Sequence, residues 1–321
     1  IGLESIKNEV RELTRFLRVQ QHRQQAGLPR TQVSLHTVFA GNPGTGKTSV
    51  ARILGEVFGA LGMVTRGHLV EADRALLVAG YMGQTAERTN KIIDRAPDGE
   101  LLIDEAYSLV NSEGDDPYGH EALQILLKRM EDDRDRLIVV LAGYPDEMER
   151  LLASNPGLAS RFQRQFDFPD YGIVDLCRIF QSLCEKNHYL LPPETRARLI
   201  LVFRQLLAER DEQFGKGRQF GNGRVVRNLF EHAIRRLADR VADVVPLTNE
   251  LLTRLQPEDI CLPDREVTDG GAEIANDFFV RVICTGCQQL SKLQALHLGR
   301  RVQCKKCQVR FIADWGEPIA T

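Results

Sequence analysis

The sequence has no hydrophobic run that approaches the roughly 18 residues of a membrane-spanning helix. It also has no charged segment followed by an apolar one at its start, which is the pattern of a secretory leader. Charge of one sign is missing as well, because 42 Lys and Arg residues face 44 Asp and Glu residues. These absences predict a cytoplasmic protein without a membrane partner. They exclude a strongly basic nucleic-acid coat and an acidic disordered chain.

What the first half of the chain does contain is an alternation of two patterns. Apolar runs predict strands, and apolar residues at helical spacing predict helices between them. This alternation predicts an α/β domain over residues 1–172, with a parallel sheet that carries helices on both faces. The predicted strands cover residues 34–40, 68–71, 100–103 and 137–142, and the predicted helices cover residues 4–25, 48–62, 84–94 and 120–131.

The pattern changes after residue 172. Residues 173–255 predict an all-helical domain, because they contain no convincing strand. Residues 256–277 hold seven acidic side chains and one basic one, a composition typical of a linker. Residues 278–314 hold seven basic side chains and one acidic one, and they predict a small β module with strands at 278–283 and 309–313. The helices of the second domain are predicted at residues 173–187, 193–210 and 223–243.

The loop after the first predicted strand matches the pattern G-x-x-x-x-G-K-[ST] between a strand and a helix. Its glycines allow backbone N–H groups to surround a polyphosphate, and the helix that follows adds its dipole. An ordinary glycine-rich turn is the alternative, and the complete motif with both flanks argues against it. The residues predicted to bind ATP and its Mg²⁺ are Asn42, Pro43, Gly44, Thr45, Gly46, Lys47, Thr48 and Ser49, with Lys47 at the β- and γ-phosphates and Thr48 at the metal.

A second motif, an apolar strand that ends in Asp104 and Glu105, follows about 55 residues later. Asp104 is the predicted Mg²⁺ ligand, and Glu105 is the predicted general base for the attacking water. An apolar run that ends in two acids is usually only the end of a strand. The phosphate-binding loop before it makes the catalytic interpretation strong.

These two motifs together resemble those of an AAA+ ATPase. The resemblance implies that Ile1 and Gly2 contact adenine, and that Tyr144 occupies the sensor-1 position, where many members have Asn. It also implies that Arg161 and Arg164 form the arginine-finger segment, which completes the site of a neighbouring subunit. Arg224 matches the sensor-2 arginine of the helical domain, and Arg227 is the alternative. Solvated surface side chains are the alternative interpretation of Arg161, Arg164 and Arg224, and it would be favoured for the first two if they stood alone.

Further stretches are similar to the AAA+ branch that contains red-type Rubisco activase and stage V sporulation protein K. They include Tyr81-Met-Gly-Gln-Thr-Ala, Leu101-Leu-Ile-Asp-Glu-Ala-Tyr-Ser-Leu and Asn222-Gly-Arg-Val-Val-Arg. The resemblance implies a homohexameric ring that pulls on a client protein, with Tyr81, Met82 and Gly83 as its pore loop. A buried core tyrosine is the alternative for Tyr81. A DNA-associated ATPase and a nucleotide switch without threading are the alternative functions.

The last module carries two C-x-x-C pairs, Cys284/Cys287 and Cys304/Cys307, separated by sixteen residues. This ligand count and spacing predict a structural Zn²⁺ site in a zinc-ribbon-like fold. A redox-active dithiol is the alternative, and His297 is a spare ligand that four cysteines make unnecessary. The excess of basic residues permits nucleic-acid binding. A single tryptophan offers no stacking platform, so a targeting or adaptor role is favoured.

Overall fold

The computed structural model describes residues 1–29, 33–81, 83–110, 116–214, 220–262 and 278–319. The chain forms two compact units, one of residues 3–170 and one of residues 1–2 together with 171–321. The sequence places the first boundary two residues later, at 172, and assigns residues 1–2 to the first domain. Among the described residues, no helix has both the length and the apolar character needed to cross a membrane.

The first unit is a five-stranded parallel sheet with the strand order β2-β3-β4-β1-β5. Its strands are β1 (Thr37–Gly41), β2 (Leu69–Ala72), β3 (Gly99–Ile103), β4 (Leu137–Gly143) and β5 (Arg164–Phe168). Its helices are α1 (Glu4–Gln25), α2 (Lys47–Ala60), α3 (Arg74–Leu77), α4 (Gln84–Ile93), α5 (Pro117–Asp132), α6 (Pro145–Ser154) and α7 (Pro156–Arg161).

The three inner strands are buried along their whole length, which explains their continuous apolar sequences. Side chains from one face of the sheet pack with α3 to α7, and side chains from the other face pack with α1 and α2. The sequence does not predict the edge strand β5, because its exposed positions are polar and alternate with Phe166 and Phe168. All five strands are parallel, so the loops that follow them all leave the sheet at the carboxyl-terminal ends of the strands.

In the described part of the second unit the α-helices are α8 (Ile173–Lys186), α9 (Pro193–Phe214), α10 (Gly223–Val241) and α11 (Asn249–Thr253). The helical domain continues beyond its predicted end at 255. Ile260 and Cys261 are buried, and the buried Asp259 pairs with Arg240 at 2.8 Å. The start of the predicted linker is therefore packed protein. Residues 263–277, the rest of that segment, lie outside the described part of the chain.

The cysteine module contains two small antiparallel sheets. One has the order β10-β6-β7, and the other pairs β8 with β9. The sequence predicts β6 and β9 but neither β7 nor β8, and it ends the module at 314, one residue before the buried Trp315. The strands are β6 (Phe279–Ile283), β7 (Leu290–Gln294), β8 (Arg301–Gln303), β9 (Arg310–Ile312) and β10 (Glu317–Pro318).

The module packs on helices α8 and α9 of the same unit. Trp315 Nε1 donates to Gln181 Oε1 at 2.6 Å, and the Arg196 guanidinium lies 4.9 Å from the centre of the indole. Arg178 donates to Asp314 Oδ2 at 3.0 and 3.2 Å. The module is therefore held by side chains of the helical domain and is more than a tethered appendage.

Candidate functional site

The loop between β1 and α2 contains the residues predicted to bind phosphate. Gly44 and Gly46 have positive φ angles of 72° and 97°, a region that glycine adopts without a steric cost. Thr45 fixes the turn from inside, because its side chain is buried and its Oγ1 donates to the Asn42 carbonyl at 2.7 Å. The local sequence therefore forms the wide turn typical of a phosphate-binding loop.

The start of α2 is electrostatically suited to an anion. Gly46 caps the helix without a side-chain hydrogen bond, and no acidic residue lies in the first turn. Lys47 lies there, and a cation at the positive end of a helix dipole is unfavourable unless an anion is near. Its Nζ donates to the carbonyls of Gly41 and Asn42 at 2.7 and 2.9 Å. A polyphosphate fits this end of the helix, since it would neutralise both the lysine and the dipole.

The Asp-Glu pair directly follows β3, at the same end of the sheet as the phosphate loop. The register aligns Ile103 with Leu141 of β4, and Leu141 with Val38 of β1. One strand, β4, separates β3 from β1. Neighbouring strands are about 4.8 Å apart, so the ends of β3 and β1 are roughly 10 Å apart. A triphosphate with its metal can span this distance.

Glu105 has an unusual backbone conformation, with φ 50° and ψ 42°. This left-handed region costs a residue with a side chain about 1–2 kcal/mol. The Glu105 N–H donates to Asp104 Oδ1 at 3.0 Å, which supports the bend. Asp104 is half-buried and its N–H donates to the Ala72 carbonyl at 2.8 Å, whereas Glu105 is exposed. The two carboxylates therefore have different surroundings, one anchored at the end of the sheet and one accessible to water.

Tyr144 directly follows β4, between the acidic pair and the phosphate loop. Its ring centre lies 5.7 Å from that of Tyr107, which belongs to the 3₁₀ turn after Glu105. Burial, and then the charge of Glu105, raise the pKa of Tyr107 to about 12, so this hydroxyl keeps its proton at neutral pH. In the sequence Tyr107 stands out only as part of a family motif, although its position two residues after Glu105 is a usable signal.

The two arginines of the predicted finger segment lie at the opposite end of the sheet, where the parallel strands begin. Arg164, the first residue of β5, pairs with Thr37 at the start of β1, whereas Gly41 pairs with Phe168. Four residues of strand cover about 13 Å. Arg164 is therefore separated from the phosphate loop of its own chain by the length of the sheet.

Arg161 ends α7 at this same end of the sheet, because its carbonyl accepts a hydrogen bond from Ser34, which precedes β1, at 2.8 Å. Its guanidinium lies 3.1 Å from Glu131 and donates to the Gly157 carbonyl at 3.3 Å. The Arg161 side chain is 30% exposed and the Glu131 side chain is 60% exposed. A surface ion pair of this kind is weak, so it leaves the arginine able to exchange partners.

The predicted pore loop connects α3 to α4. Tyr81 is 73% exposed, so the alternative of a buried core tyrosine is wrong. Gly83 has φ 82° and caps α4, while Met82 lies outside the described residues. Behind this exposed tip the backbone is fixed by two buried threonines of α4 that sequence reasoning missed.

Thr85 Oγ1 accepts from the Ala79 N–H at 3.1 Å and lies 3.4 Å from the carbonyl of the same residue. Thr89 Oγ1 donates to the Leu77 carbonyl at 3.0 Å. The two threonines are spaced four residues apart on one face of α4, and both are buried. The loop therefore has an anchored base and a solvent-exposed aromatic tip.

In the second unit, Arg224 lies in the first turn of α10 and is exposed, as is Arg227. The Arg224 N–H donates to the Gly221 carbonyl at 2.8 Å. No acidic residue lies in that turn. As at Lys47, a cation at the positive end of a helix suits an anionic partner.

Ile1 and Gly2 belong to the second unit as well. Gly2 has φ 59°, and a Cβ there would lie 2.7 Å from Asp175 Oδ2 and 3.2 Å from the Tyr171 ring. Glycine is favoured at this point, because the φ angle strains a residue with a side chain and a Cβ would displace the Asp175 carboxylate. The segment predicted to contact adenine therefore lies against the first residues after the boundary between the units.

The four cysteines of the C-terminal module form one cluster. All four Sγ atoms lie within 4.8 Å of one another. Two of the separations are 3.6 Å, between Cys284 and Cys307, and 3.7 Å, between Cys287 and Cys304. A tetrahedron with metal–sulfur bonds of about 2.3 Å has sulfur–sulfur edges of about 3.8 Å. The cluster has the dimensions of a four-thiolate metal site.

The two C-x-x-C turns share one hydrogen-bond pattern. The N–H groups of Gln288 and Gln308 donate to the carbonyls of Cys284 and Cys304, at 2.9 and 3.0 Å. Both glutamines have φ near 60°. Backbone N–H groups of Cys307 and Lys306 lower the pKa of the Cys304 thiol, which favours at that sulfur the thiolate form that metals bind. Burial and the three neighbouring sulfurs instead raise the pKa of the Cys307 thiol. Each turn thus presents its two sulfurs in the same way.

Two family models match this chain. The model of the ATPase family associated with various cellular activities (AAA) matches residues 37–170. The model of the AAA lid domain matches residues 173–270. Neither model reaches the cysteine cluster.

Several curated proteins are similar over most of this chain. The chloroplastic ribulose bisphosphate carboxylase/oxygenase activase of Cyanidioschyzon merolae is 40% identical over 262 residues, which is 81% of this chain and 87% of that protein. Stage V sporulation protein K of Bacillus subtilis is 40% identical over 75% of this chain and 73% of its own length. Protein CbbX of Cereibacter sphaeroides is 40% identical over 81% of this chain and 82% of its own length.

Among solved structures, a point mutant of RuvB from Thermotoga maritima matches with a TM-score of 0.50 and 19% identity, covering 81% of this chain and 68% of that chain. This likeness supports the fold alone. The two family models and the long alignments at 40% identity go further. The chain is an ATP-hydrolysing member of the AAA family, in the branch that contains Rubisco activase, stage V sporulation protein K and CbbX.

Proposed function

We propose that this ATPase is a motor that remodels a client protein by pulling it through a ring of identical subunits, six by family resemblance. The observation that carries the proposal is the placement of Arg161 and Arg164 at the end of the sheet opposite the phosphate loop. An arginine there serves hydrolysis only in the site of another copy. The exposed Tyr81 on its anchored loop is the second support.

In the proposed site, the first turn of α2 and Lys47 bind the β- and γ-phosphates of ATP. Thr48 and Asp104 offer the hydroxyl and carboxylate oxygens that Mg²⁺ prefers, and the ion would supply neutralisation of phosphate charge. Glu105 accepts a proton from the attacking water. Tyr144 orients a water at the γ-phosphate, Arg224 contacts the phosphates from the helical domain, and Ile1 and Gly2 contact adenine.

A mixing experiment tests the ring. Glu105→Gln removes the base but keeps the finger, and Arg161→Ala removes the finger but keeps the base. Each variant alone is expected to lose at least about 100-fold in ATP turnover, since a finger in trans contributes 10³–10⁵. Mixed in equal amounts, a random ring pairs an intact site with an intact finger at about a quarter of its interfaces, so about a quarter of the parent rate returns.

No recovery on mixing would contradict a finger supplied by a neighbour. The same experiment with Arg164→Ala decides between the two arginines, because only the true finger gives both the loss and the recovery. Measuring the mass of Glu105→Gln with ATP then gives the number of subunits in the ring. A monomer with ATP would favour the nucleotide switch.

Tyr81 tests the pulling step separately from hydrolysis. Proteins retained by Glu105→Gln with ATP are compared with those retained by Glu105→Gln/Tyr81→Ala and by Glu105→Gln/Tyr81→Phe. The motor predicts capture that Phe preserves and Ala abolishes, because an aromatic ring grips a polypeptide through its apolar face. Equal capture by all three would contradict the pore-loop role. Salt-sensitive binding and stimulation by DNA would instead favour the nucleic-acid alternative.

We further propose that Cys284, Cys287, Cys304 and Cys307 bind a structural Zn²⁺. The sulfur separations near the edge length of a zinc–thiolate tetrahedron support this. Four ligands close the coordination shell, so the ion would stabilise the fold of the small module and leave no open position for catalysis.

A further inference from the structure

The boundary between the two units falls on one peptide bond, between Asp170 and Tyr171. Each of these residues is hydrogen-bonded to an element of the proposed ATP site. Asn42 of the phosphate loop donates from Nδ2 to Asp170 Oδ1 at 2.9 Å. On the other side, the Tyr171 N–H donates to Asn222 Oδ1 at 2.9 Å.

Asn222 is built for a fixed position. Its side chain is fully buried, and its Nδ2 donates to the Phe220 carbonyl at 2.9 Å, so both ends of the amide have partners. Its backbone, with φ 43° and ψ −118°, is in a region that glycine adopts freely and that strains other residues. A strained, buried asparagine where glycine would relieve the strain indicates that its side chain is needed.

Asn222 also directly precedes α10, as the residue at its N-cap. Its side chain gives that helix no cap hydrogen bond, because it is used on Tyr171 and Phe220. Arg224 follows two residues later. The side chain at the start of α10 is therefore hydrogen-bonded to Tyr171, the first residue after the boundary, instead of capping its own helix.

From these contacts we propose that Asn222 is a positioning residue for ATP hydrolysis, because it ties Tyr171 to the start of α10. The state of the phosphate loop is transmitted through Asn42, Asp170 and one peptide bond to Tyr171. Through Asn222 it then sets the position of Arg224. The inference rests on the proposed ATP site. It adds a defined path by which nucleotide in one unit acts on the helix of the other.

The path is tested by a double-mutant cycle on ATP turnover. Asn222→Gly removes the amide while giving the backbone a residue that favours its φ angle, and Asp170→Ala removes the other bond. Each is expected to lower kcat about fivefold to tenfold, and the double variant no further, since both changes break one path. Asn187→Gly is the matched control: the side chain of this exposed asparagine after α8 donates to the Leu183 carbonyl of its own helix, and kcat of the variant should stay at the parent value.

Multiplying losses in the double variant would overturn the proposal, because they would mean two independent effects. So would an unchanged kcat in Asn222→Gly with the parent thermal stability. ATP affinity is measured in the same samples. If the parent protein failed to bind ATP, the proposed site itself would be wrong. If the losses in kcat multiply while the parent protein binds ATP normally, only the path is contradicted and the proposed site stands.

Hydrogen exchange gives a second test that does not require Asn222→Gly to fold. In the parent protein, nucleotide should slow exchange in the phosphate loop, at the Tyr171 amide and in the first turn of α10. In Asp170→Ala, protection of the phosphate loop should remain and protection of α10 should be lost. Undiminished protection of α10 in Asp170→Ala would contradict the path.

Discussion

At the scale of single residues, Glu100 is a buried acid that hydrolysis does not use. It is the second residue of β3, is fully buried, and has no hydrogen-bond partner for either carboxyl oxygen among the described residues. A side chain on Gly55 of α2 would lie 3.5 Å from its Oε2. Burial raises the pKa of Glu100 to about 8 from an ordinary value of 4.5.

This raised pKa predicts how stability changes with pH. Between about 4.5 and 8 the folded protein keeps a proton on Glu100 that the unfolded chain releases, so raising the pH favours unfolding. The slope is at most about 1.4 kcal/mol per pH unit. Glu100→Gln keeps the shape without the ionisation, and it should flatten the decline. Urea unfolding at pH 6 and pH 8 measures this.

Glu56→Gln, at an exposed position of α2, is the control and should follow the parent curve. If the parent and Glu100→Gln lost stability equally between pH 6 and pH 8, Glu100 would not be the titrating group. No local pattern reveals this behaviour, because an acid that begins an apolar strand looks the same whether it is buried or exposed.

The site residues differ in how far the sequence reveals them. Lys47, Asp104 and Glu105 lie within short motifs whose spacing is set by a single loop or strand end. Asn222 and Thr85 act through partners that are distant in sequence or that belong to the backbone, and no local pattern marks such contacts. The sequence therefore predicts groups that act on substrate better than groups that hold them in place.

At the scale of elements, α4 and the loop before it are held together by side-chain hydrogen bonds. The buried Thr85 and Thr89 fix the loop backbone at Ala79 and Leu77, while Tyr81 stays in solvent. In the proposed motor, a rigid base would let a force applied at the tip reach the domain, whereas a loose loop would yield. The polar sequence Thr-Ala-Glu-Arg-Thr gives no sign that two of its side chains are buried.

Thr85→Val tests the anchoring. Valine has the shape of threonine without its hydroxyl, so the Ala79 N–H loses its acceptor inside the protein, at a cost of about 1–3 kcal/mol. We expect faster hydrogen exchange at the loop amides from 78 to 81, with ATP turnover within about twofold of the parent. Thr85→Ser, which keeps the hydroxyl, should behave like the parent. Unchanged exchange in Thr85→Val would show that the loop is held by other contacts.

Elements with strong apolar patterns are predicted within a few residues, as with α1 and the three inner strands. Those that are missed have a physical reason in common. Strands β7 and β8 and the edge strand β5 are short and expose polar side chains, so their sequences resemble loops. Their pairing depends on neighbours, and in the module also on the knuckle turns.

At the scale of the whole molecule, the cysteine module is connected to the helical domain by more than a polypeptide linker. Gly299 approaches α9 so closely that a Cβ would lie 2.9 Å from Arg196 Nε. Trp315 is buried between the module and the helices. The sequence predicts a separate module ending at 314, since contacts across so many residues leave no local trace.

Metal removal should therefore also disturb the contact between the module and helices α8 and α9. Trp315 is the only tryptophan in the chain, so its fluorescence reports on this contact alone. We expect that a strong chelator with a thiol reagent releases one zinc per chain and shifts the emission to longer wavelength, because the indole becomes exposed to water. Metal content and emission are measured together.

Gln181→Ala provides the comparison, because it removes the partner of the indole N–H at a distance from the cysteines. Its emission should shift while its zinc content stays at one per chain. Release of the metal without any change in emission would mean that the contact with α8 and α9 does not depend on the metal.

The position of the arginines at the far end of the sheet has a consequence for how much ATP free subunits would consume in the cell. If a subunit cannot complete its own site, turnover per subunit is governed by mass action and rises steeply as rings assemble. Newly made or dispersed subunits would then hold nucleotide without consuming it. Such a protein would need no separate inhibitor to prevent futile hydrolysis, because dilution alone would keep it idle.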